Sequence, residues 1–334
     1  MARGGARRRA GTAAAAALAG ALAAGPADAA DALSFATNWV AQGEHGGYYQ
    51  ALTEGIYERH GIALTLRPGG PQINTAQLLA AGALDFAIVS NSFVPLNLVK
   101  EGAPYVAVAA LFQKDPQILI AHREMGFTSL ADLKGRPIQI STGAADGYWR
   151  WLAVRFGFTD DQIRPYTYNL APFLVDKTLI QQEYVTNYRY EMKTAGFDPQ
   201  VFLLADYGYS SYSAILMTSK KRVAEQPEQV QRFVDATVKG WHAYLHGPHD
   251  KAIARIVKDN PDYTAEWAES ATQALRDNGI VESGDTAALG IGAMTDARWK
   301  DFFDTMVQAG LYKSDFDYRA AYTLQFIGRK VEAP

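Results

Sequence analysis

The six histidines and one Glu-His pair are the residues of this chain whose types could bind a metal or move a proton. His242 and His246 lie four residues apart and would share a helix face, but no third ligand accompanies them. Glu44 and His45 could act as an acid–base pair, although a ligand hydrogen bond or a loop contact is the favoured interpretation. Serine-hydrolase, Walker, zinc-protease and dinucleotide motifs are all missing from the sequence. We therefore predict no catalytic residue, no metal and no cofactor.

Short polar groups follow four predicted strands, and each of them precedes a predicted helix. Helix N-termini offer unpaired N–H donors and the positive end of the helix dipole to a docked molecule. Serine, threonine and asparagine are also good helix caps, so one such group alone favours capping. Four groups that converge on one crevice would favour a binding site. They are Thr37-Asn38, Ser90-Asn91, Ser141-Thr142-Gly143 and Thr186-Asn187.

Aromatic residues cluster near these strand ends and could bury a flat ligand. Trp39 directly follows the strand-end Asn38, and we predict that it contacts the ligand; a buried position in the core is the alternative. Most of the others are expected to serve packing. The cluster consists of Trp39, Tyr48, Tyr49, Tyr148, Trp149, Trp151, Tyr184, Tyr188, Tyr190, Tyr207, Tyr209 and Tyr212.

The elements that must position these side chains form a β-α-β unit over 34–66. Tyr49, Leu52 and Ile56 share one helix face, which predicts a helix of about four turns that ends at Gly61. A second strand follows at 62–66, where apolar residues alternate. Asn38 and Trp39 would then lie at the carboxyl end of a strand, where open α/β sheets bind ligands.

Strand and helix patterns alternate along the rest of the chain, and the pattern after residue 225 is mostly helical. This order predicts an α/β fold with helices packed on one lobe. The predicted strands are 85–90, 105–112, 117–121, 136–141, 183–186, 201–205 and 213–218. The predicted helices are 72–81, 92–100, 129–134, 144–156, 227–245, 250–258, 264–278 and 296–309.

Residues 1–30 have the pattern of a cleavable export signal: arginines, then an apolar alanine-rich run, then small residues. The run is too short to span a membrane, and a chain without cysteine has neither a lipid-anchor cysteine nor a disulfide. Cleavage after Ala29 leaves a net charge near −6, which argues against a nucleic-acid partner. About 300 mature residues favour two lobes. We expect a soluble, periplasmic monomer.

The chain resembles periplasmic substrate-binding proteins of ABC importers, in the thiamine-precursor-synthase-like or nitrate/sulfonate/taurine-like branch. The resemblance covers residues 33–330. The matching residues are Asn38-Trp39, Glu44-His45-Gly46-Gly47-Tyr48-Tyr49-Gln50-Ala51, Gly82-Ala-Leu-Asp-Phe-Ala-Ile-Val-Ser90, Leu130-Ala-Asp-Leu-Lys-Gly135, Phe202-Leu-Leu-Ala-Asp-Tyr-Gly208 and Ala320-Ala-Tyr-Thr-Leu-Gln-Phe326.

The resemblance implies a type II, two-lobed periplasmic-binding-protein fold, in which each lobe is a mixed sheet flanked by helices. Lobe one would comprise 31–112 and 212–334, including the helical C-terminal tail, and the inserted lobe two would comprise 113–211. A small ligand would bind between the lobes and pass to a membrane permease with a cytoplasmic ATPase. The expected ligand-binding residues are Asn38, Trp39, His45, Gly46, Ser90, Asn91, Ser141, Thr142, Gly143, Tyr188, Glu191 and Tyr209.

The Asn-Trp and Glu-His-Gly-Gly pattern is most similar to members that bind pyrimidine precursors of thiamine, so we expect a small planar nitrogen heterocycle. An alkyl or aryl sulfonate, or another small organic anion, is the alternative. Many members have an acidic residue directly after the asparagine that corresponds to Asn187. Here either Glu191 replaces it one turn later, or Tyr188 and Arg189 recognise something different. An exported enzyme on the same fold is a further alternative, although an enzymatic relative has a cysteine-rich motif that this chain lacks.

Overall fold

The structure is a computed structural model that describes residues 1, 2, 4, 5, 30–71 and 73–328. Almost all of the predicted export signal lies outside the described residues. Within the described ranges, no helix combines the length and the apolar character that crossing a membrane requires.

The strands of the described residues form two mixed five-stranded sheets, which confirms the predicted α/β class. Sheet one has the order β2-β1-β3-β10-β4, and only β10 runs antiparallel to its neighbours. Sheet two has the order β7-β6-β8-β5-β9, in which β5 is antiparallel to β8 and β9. The strands are β1 Asp31–Ala36, β2 Ile62–Arg67, β3 Phe86–Asn91, β4 Tyr105–Phe112, β5 Gln117–Ala121, β6 Ile138–Ile140, β7 Ile163–Pro165, β8 Ile180–Tyr184, β9 Gln200–Leu203 and β10 Ser213–Ser219.

Helices flank both sheets, and the longest ones follow β10 as the sequence predicts. Buried aromatic and aliphatic side chains fill the space between helices and sheets. The helices are α1 Gly46–Thr53, α2 Ile56–Arg59, α3 Thr75–Ala80, α4 Phe93–Lys100, α5 Thr142–Ala145, α6 Tyr148–Phe156, α7 Ala171–Val175, α8 Val185–Ala195, α9 Lys220–Glu225, α10 Pro227–His246, α11 Asp250–Asp259, α12 Ala265–Asp277, α13 Thr286–Leu289 and α14 Asp296–Gln308.

Two predicted continuous helices are interrupted at glycines, which corrects the sequence-based prediction. The four-turn helix after Asn38 is divided into a 3₁₀ turn, α1 and α2, because Gly55 has a left-handed backbone with φ of 66°. The helix predicted at 144–156 is divided into α5 and α6 at Gly147, whose φ and ψ of −110° and −112° are not helical.

The strand predicted at 183–186 is shifted toward the N-terminus, because β8 ends at Tyr184 and α8 begins at Val185. Thr186 and Asn187 therefore lie in the first turn of α8 and not at the end of a strand. With this boundary, Glu183 and Tyr184 at the end of β8 and Asn187 in α8 line the space between the two sheets.

The chain changes from sheet one to sheet two between β4 and β5, and it returns between β9 and β10. Arg298 on α14 binds both connections: its Nε donates to the Ser210 carbonyl at 2.9 Å, and its Nη2 donates to the carbonyls of Ser211 and Gln113. Its guanidinium also lies 4.2 Å from the ring centroid of Tyr212. One partly buried cation thus joins the two connections.

Helix α8, which follows a strand of sheet two, packs on α12, which belongs to the helical region after sheet one. The rings of Tyr190 and Trp267 stack with centroids 5.0 Å apart. Two ion pairs flank this stack, Arg189 with Asp277 at 2.7 Å and Lys193 with Glu266 at 3.0 Å. The two halves of the molecule therefore contact each other beside the connections as well as through them.

Candidate functional site

A cleft of about 550 Å³ lies between the two sheets and is lined by residues from both. Its walls come from the carboxyl ends of β1 and β3 on one side and from β6, β8 and their following segments on the other. The lining residues are Asn38, Trp39, Gln42, Glu44, Gly70, Pro71, Ile73, Ser90, Asn91, Phe93, Val94, Asn97, Gln117, Ser141, Gly143, Ala144, Asp146, Gly147, Tyr148, Tyr166, Tyr168, Gln182, Glu183, Tyr184 and Asn187.

Asn38 is held at the sheet-one wall by two neighbours. Its Nδ2 donates to Ser90 Oγ at 2.9 Å, and its Oδ1 lies 3.3 Å from His45 Nε2. Burial lowers the pKa of His45 to about 3, so its imidazole is neutral and Nε2 must carry the proton to donate to the amide oxygen. His45 therefore orients Asn38 from behind, and it is not itself a lining residue.

Gly46, which the sequence also placed in the site, is explained by packing. A Cβ atom at this position would lie 1.9 Å from Cζ of Tyr244, so only glycine permits the approach of α1 to α10. A Cβ atom at Gly47 would likewise lie 2.2 Å from Cδ2 of Trp241. These glycines bring the Glu44-His45 turn against the helices of the C-terminal region.

On the sheet-two wall, Ser141 caps α5 by accepting a hydrogen bond from the backbone N–H of Ala144 at 3.2 Å. The Ser141 N–H donates to Gln182 Oε1 at 2.7 Å, and the Tyr148 hydroxyl donates to the same oxygen at 3.3 Å. The strand-end polar group is thus occupied by capping, as its residue types favour. Ser141 and Gly143 nevertheless line the cleft, whereas Thr142 is exposed outside it.

Two carboxylates contribute to the cleft lining, of which Glu44 is buried and Glu183 is partly buried. Glu44 Oε2 accepts from Thr186 Oγ1 of the facing half at 2.8 Å, and burial raises the pKa of Glu44 to about 7. Glu183 Oε1 accepts from the Tyr166 hydroxyl at 2.7 Å and from Gln181 Nε2 at 3.0 Å. Burial also raises the pKa of Glu183. Neither carboxylate forms an ion pair among the described residues.

A third carboxylate, Asp115, is only 1% exposed and accepts the N–H of the lining residue Gln117 at 3.1 Å. Burial raises the pKa of Asp115 to about 7. Its charge and that of Glu44 raise the pKa of Tyr184 further, in addition to the larger effect of burial. Burial thus favours the neutral form of both Asp115 and Glu44, and each of them adds negative charge beside the cleft when it ionises.

The ionisable charged side chains of the cleft lining in the described residues are all acidic. Within residues 30–71 and 73–328, the lining includes the carboxylates Glu44, Asp146 and Glu183, and it includes no lysine, arginine or histidine. Two lining amides also have buried oxygens, Gln117 Oε1 and Asn187 Oδ1, without a hydrogen-bond partner in the described structure. Buried acceptors of this kind require a donor. The charged side chains of the lining are therefore hydrogen-bond acceptors when they are ionised.

Aromatic rings form the walls at the mouth. Trp39 is partly exposed, and its ring lies 5.8 Å from that of Tyr168 on the facing half, with an interplanar angle of 33°. Tyr168 in turn lies 4.9 Å from Tyr166. The prediction that Trp39 faces the cleft agrees with this geometry, and the alternative of a core position does not.

The other predicted site residues lie away from the lining for identifiable reasons. Tyr209 is 2% exposed and packs against Trp151, with centroids 5.2 Å apart. Tyr188 packs against the core. Glu191 lies behind Glu183, and burial together with the charge of Glu183 raises its pKa to about 7. Arg189, considered for an anionic ligand, is paired with Asp277.

Sequence reasoning missed several lining residues. Tyr166 and Tyr168 lie in a segment to which no element was assigned. Gln182 precedes the predicted strand range of 183–186, and Glu183 is the first residue of that range. Neither Glu191 nor Tyr188 lines the cleft, but a carboxylate four residues before Asn187 does, Glu183 on β8. A usable signal for the opposite wall was Pro68-Gly-Gly-Pro71, because Gly69 lets this loop approach the Thr37 carbonyl.

Metal binding finds no support in the geometry. No group of three or more His, Asp or Glu residues within the described ranges could hold an ion. His242 and His246 do lie side by side, with ring centroids 4.8 Å apart, but His246 Nε2 contacts Glu282 at 2.9 Å on an exposed surface.

The two sheets, their double connection and the cleft between them define a periplasmic-binding-protein fold. The chain belongs to the NMT1/THI5-like family, whose model matches residues 42–251. This confirms the resemblance stated from the sequence.

Three further similarities agree with this fold. The chain is 24% identical over 303 residues to the riboflavin-binding protein RibY of Chloroflexus aurantiacus, covering 88% of this chain and 86% of RibY. The periplasmic aliphatic sulphonate-binding protein SsuA of Escherichia coli superposes with a TM-score of 0.67 at 14% identity, covering 87% of this chain and 91% of SsuA. The desulfurization enzyme DSZB gives 0.56 at 14% identity, covering 89% and 97%.

Proposed function

We propose that this chain is the extracytoplasmic solute-binding component of an ABC importer and that it binds a planar nitrogen heterocycle that carries N–H donors. The observation that carries the proposal is the composition of the cleft: carboxylates and unsatisfied amide oxygens without a lining cation, beside a partly exposed tryptophan. Ring N–H and amino groups would satisfy these acceptors, and the flat ring would lie against Trp39.

The charge of the cleft also separates this ligand class from the sulfonate alternative. A sulfonate keeps its negative charge at any physiological pH and would lie next to Glu44 and Glu183. Like charges at a desolvated contact cost several kcal/mol unless the two carboxyls, whose pKa values burial raises, hold a proton. No lining lysine or arginine within the described residues would offset that cost. The similarity to SsuA concerns the fold, and the side chains of this cleft favour a neutral or cationic ligand.

The size of the cleft admits more than a single ring. Pockets of about 300–1,000 Å³ bury ligands of drug size, and this cleft has about 550 Å³. The name of the RibY relative therefore makes riboflavin a candidate beside smaller pyrimidines. The fused ring system of riboflavin includes a pyrimidinedione with a ring N–H. This N–H group is a donor of the kind that the buried acceptors require.

The proposed working motion is closure of the two lobes. We place lobe one at 31–112 and 212–334 and lobe two at 113–211, because the chain changes sheets on either side of 113–211. Hinge closure around a ligand is common in this fold. The closed form with its ligand would dock on a permease in the membrane. The role of the chain is binding without turnover, as a periplasmic monomer.

Isothermal titration calorimetry of the mature chain tests the proposal with three probes: 4-amino-5-hydroxymethyl-2-methylpyrimidine, riboflavin and an alkanesulfonate without an amino group, such as ethanesulfonate. We expect saturable binding of at least one heterocycle and none of the sulfonate. A Glu183→Lys variant should lose the heterocycle. Sulfonate binding by the unaltered chain, with no heterocycle bound, would instead establish the alternative.

A further inference from the structure

Tyr168 combines three properties that ordinary surface tyrosines lack. Its backbone is left-handed, with φ of 56°, although it is neither glycine nor asparagine. Its side chain is large, yet 63% of it is exposed. Its ring nevertheless faces into the cleft and contacts Trp39 of the facing half.

The left-handed backbone has an energetic cost. A residue with a Cβ atom in this region meets the following carbonyl oxygen, which is why glycine, asparagine and aspartate dominate there. Such strain persists where the surrounding structure or a ligand compensates for it, and it concentrates at ligand clamps. With 63% of its surface exposed, Tyr168 gains little from burial, so packing against the rest of the protein does not explain the conformation.

We infer that Tyr168 is the second wall of a ring clamp and selects flat ligands by holding them against Trp39. This inference rests on the proposed function, since it concerns the same cleft and the same ligand class. In the structure the two rings are 5.8 Å apart and inclined by 33°. The two rings therefore contact each other directly, although they belong to opposite halves of the molecule.

The spacing shows what binding requires. Each ring–ring contact needs about 3.5–4 Å between carbon atoms, so a ring between two others needs about 7–8 Å. Trp39 and Tyr168 must therefore separate by about 1–2 Å and become nearly parallel. Because they belong to opposite halves of the molecule, a small change in lobe closure provides that space. A bulky nonplanar ligand would need a much larger separation.

Neighbouring contacts guide this movement. Tyr166 packs against Tyr168 at 4.9 Å, and its hydroxyl is fixed on Glu183 at 2.7 Å. The carboxylate that would accept the ligand's N–H group is thus connected, through Tyr166, to the ring that would cover the ligand's face. The residue that would bind the edge of the ligand ring and the residue that would cover its face therefore contact each other, through Tyr166, on one wall of the cleft.

The test compares three variants of the mature chain by calorimetry with riboflavin and the aminopyrimidine, and by thermal melting. Tyr168→Asn removes the ring but tolerates the left-handed backbone. Tyr168→Phe keeps the ring, and Val175→Ala is a control at a position in the same half that is 83% exposed. We expect Tyr168→Asn to bind at least about 5-fold more weakly, the lower limit for ring stacking, with no fall in melting temperature. The other two variants should bind as the unaltered chain does.

A loss smaller than about 5-fold in Tyr168→Asn would overturn the clamp while leaving the proposed function intact, provided that the unaltered chain binds a heterocycle. A melting temperature that falls together with the affinity would identify Tyr168 as a structural residue and would also overturn it. If the unaltered chain binds neither heterocycle, the clamp and the proposed function both fail.

Discussion

Truncation of Trp39 to alanine should weaken ligand binding and leave folding nearly unchanged. The backbone of this residue is held independently of its ring, because its carbonyl accepts from the Gly69 N–H at 3.0 Å and from Thr37 Oγ1 at 2.9 Å. The partly exposed ring lies at the cleft surface, so its removal opens no internal cavity. The folded protein loses about one aromatic contact with Tyr168, roughly 0.5–1.5 kcal/mol.

The loss in binding should be larger. Stacking of a flat heterocycle on an aromatic side chain contributes about 1–3 kcal/mol, which corresponds to a loss of about 5- to 150-fold in affinity. Titration calorimetry with the best heterocycle measures this loss. Thermal melting should show a shift of less than about 5 °C.

Trp241→Ala provides the matched control, since Trp241 is fully buried and contacts Tyr48, Phe112 and Tyr244. It should cost about 3–5 kcal/mol of folding stability. Unchanged affinity in Trp39→Ala would refute the stacking role. A collapse in melting temperature like that of Trp241→Ala would show that Trp39 is structural.

Three other predictions follow from the cleft and the connections. Burial raises the pKa of Glu44 from 4.5 to about 7, so the folded state holds this proton more tightly than the unfolded state does. The free energy of unfolding should therefore fall by about 3 kcal/mol as pH rises from about 4.5 to 7. Melting curves of Glu44→Gln should lack that part of the decline. Glu183→Gln should weaken heterocycle binding about tenfold by calorimetry at pH 8, because a charged acceptor becomes neutral. Glu191→Gln, at a residue outside the lining, should have little effect. Equal losses of affinity in the two variants would contradict the role of Glu183 as the ligand's acceptor. Arg298→Ala should lower the free energy of unfolding in urea by about 2–5 kcal/mol, because it removes the donor to three carbonyls of the two connections. A change below about 1 kcal/mol would show that Arg298 does not stabilise these connections.

Long apolar strands and amphipathic helices could be predicted from the sequence alone. The ranges 105–112 and 117–121 match β4 and β5 residue for residue, because both are uninterrupted apolar runs. The four helices predicted after Glu225 also match, to within one or two residues at each end. Burial imposes a strong pattern on such segments, so local sequence is informative there.

The short elements around the cleft could not be predicted in this way. β7 has three residues, and α7 has five, including Pro172. Neither is long enough to show a period, yet the segment between them contains Tyr168. The interruption at Gly55 likewise depends on a backbone angle that the helical pattern of neighbouring residues conceals.

Cleft-lining residues could be chosen from the sequence where they follow strands of sheet one, and less readily where they lie on the facing half. Asn38, Trp39, Ser90 and Asn91 line the cleft because they follow β1 or end β3. Glu183 could not be chosen over Glu191, because the choice depends on where β8 ends and α8 begins. Three-dimensional packing decides that boundary.

The identity of the compound that the protein binds in its own compartment tests the central claim most directly. The chain should be purified quickly from its native compartment without added ligand and then denatured, and the released small molecules should be identified and quantified by mass spectrometry against a Trp39→Ala preparation. We expect a planar nitrogen heterocycle with N–H donors, released near one equivalent per chain and depleted in the variant. Release of a sulfonate or another organic anion at that stoichiometry would contradict the account.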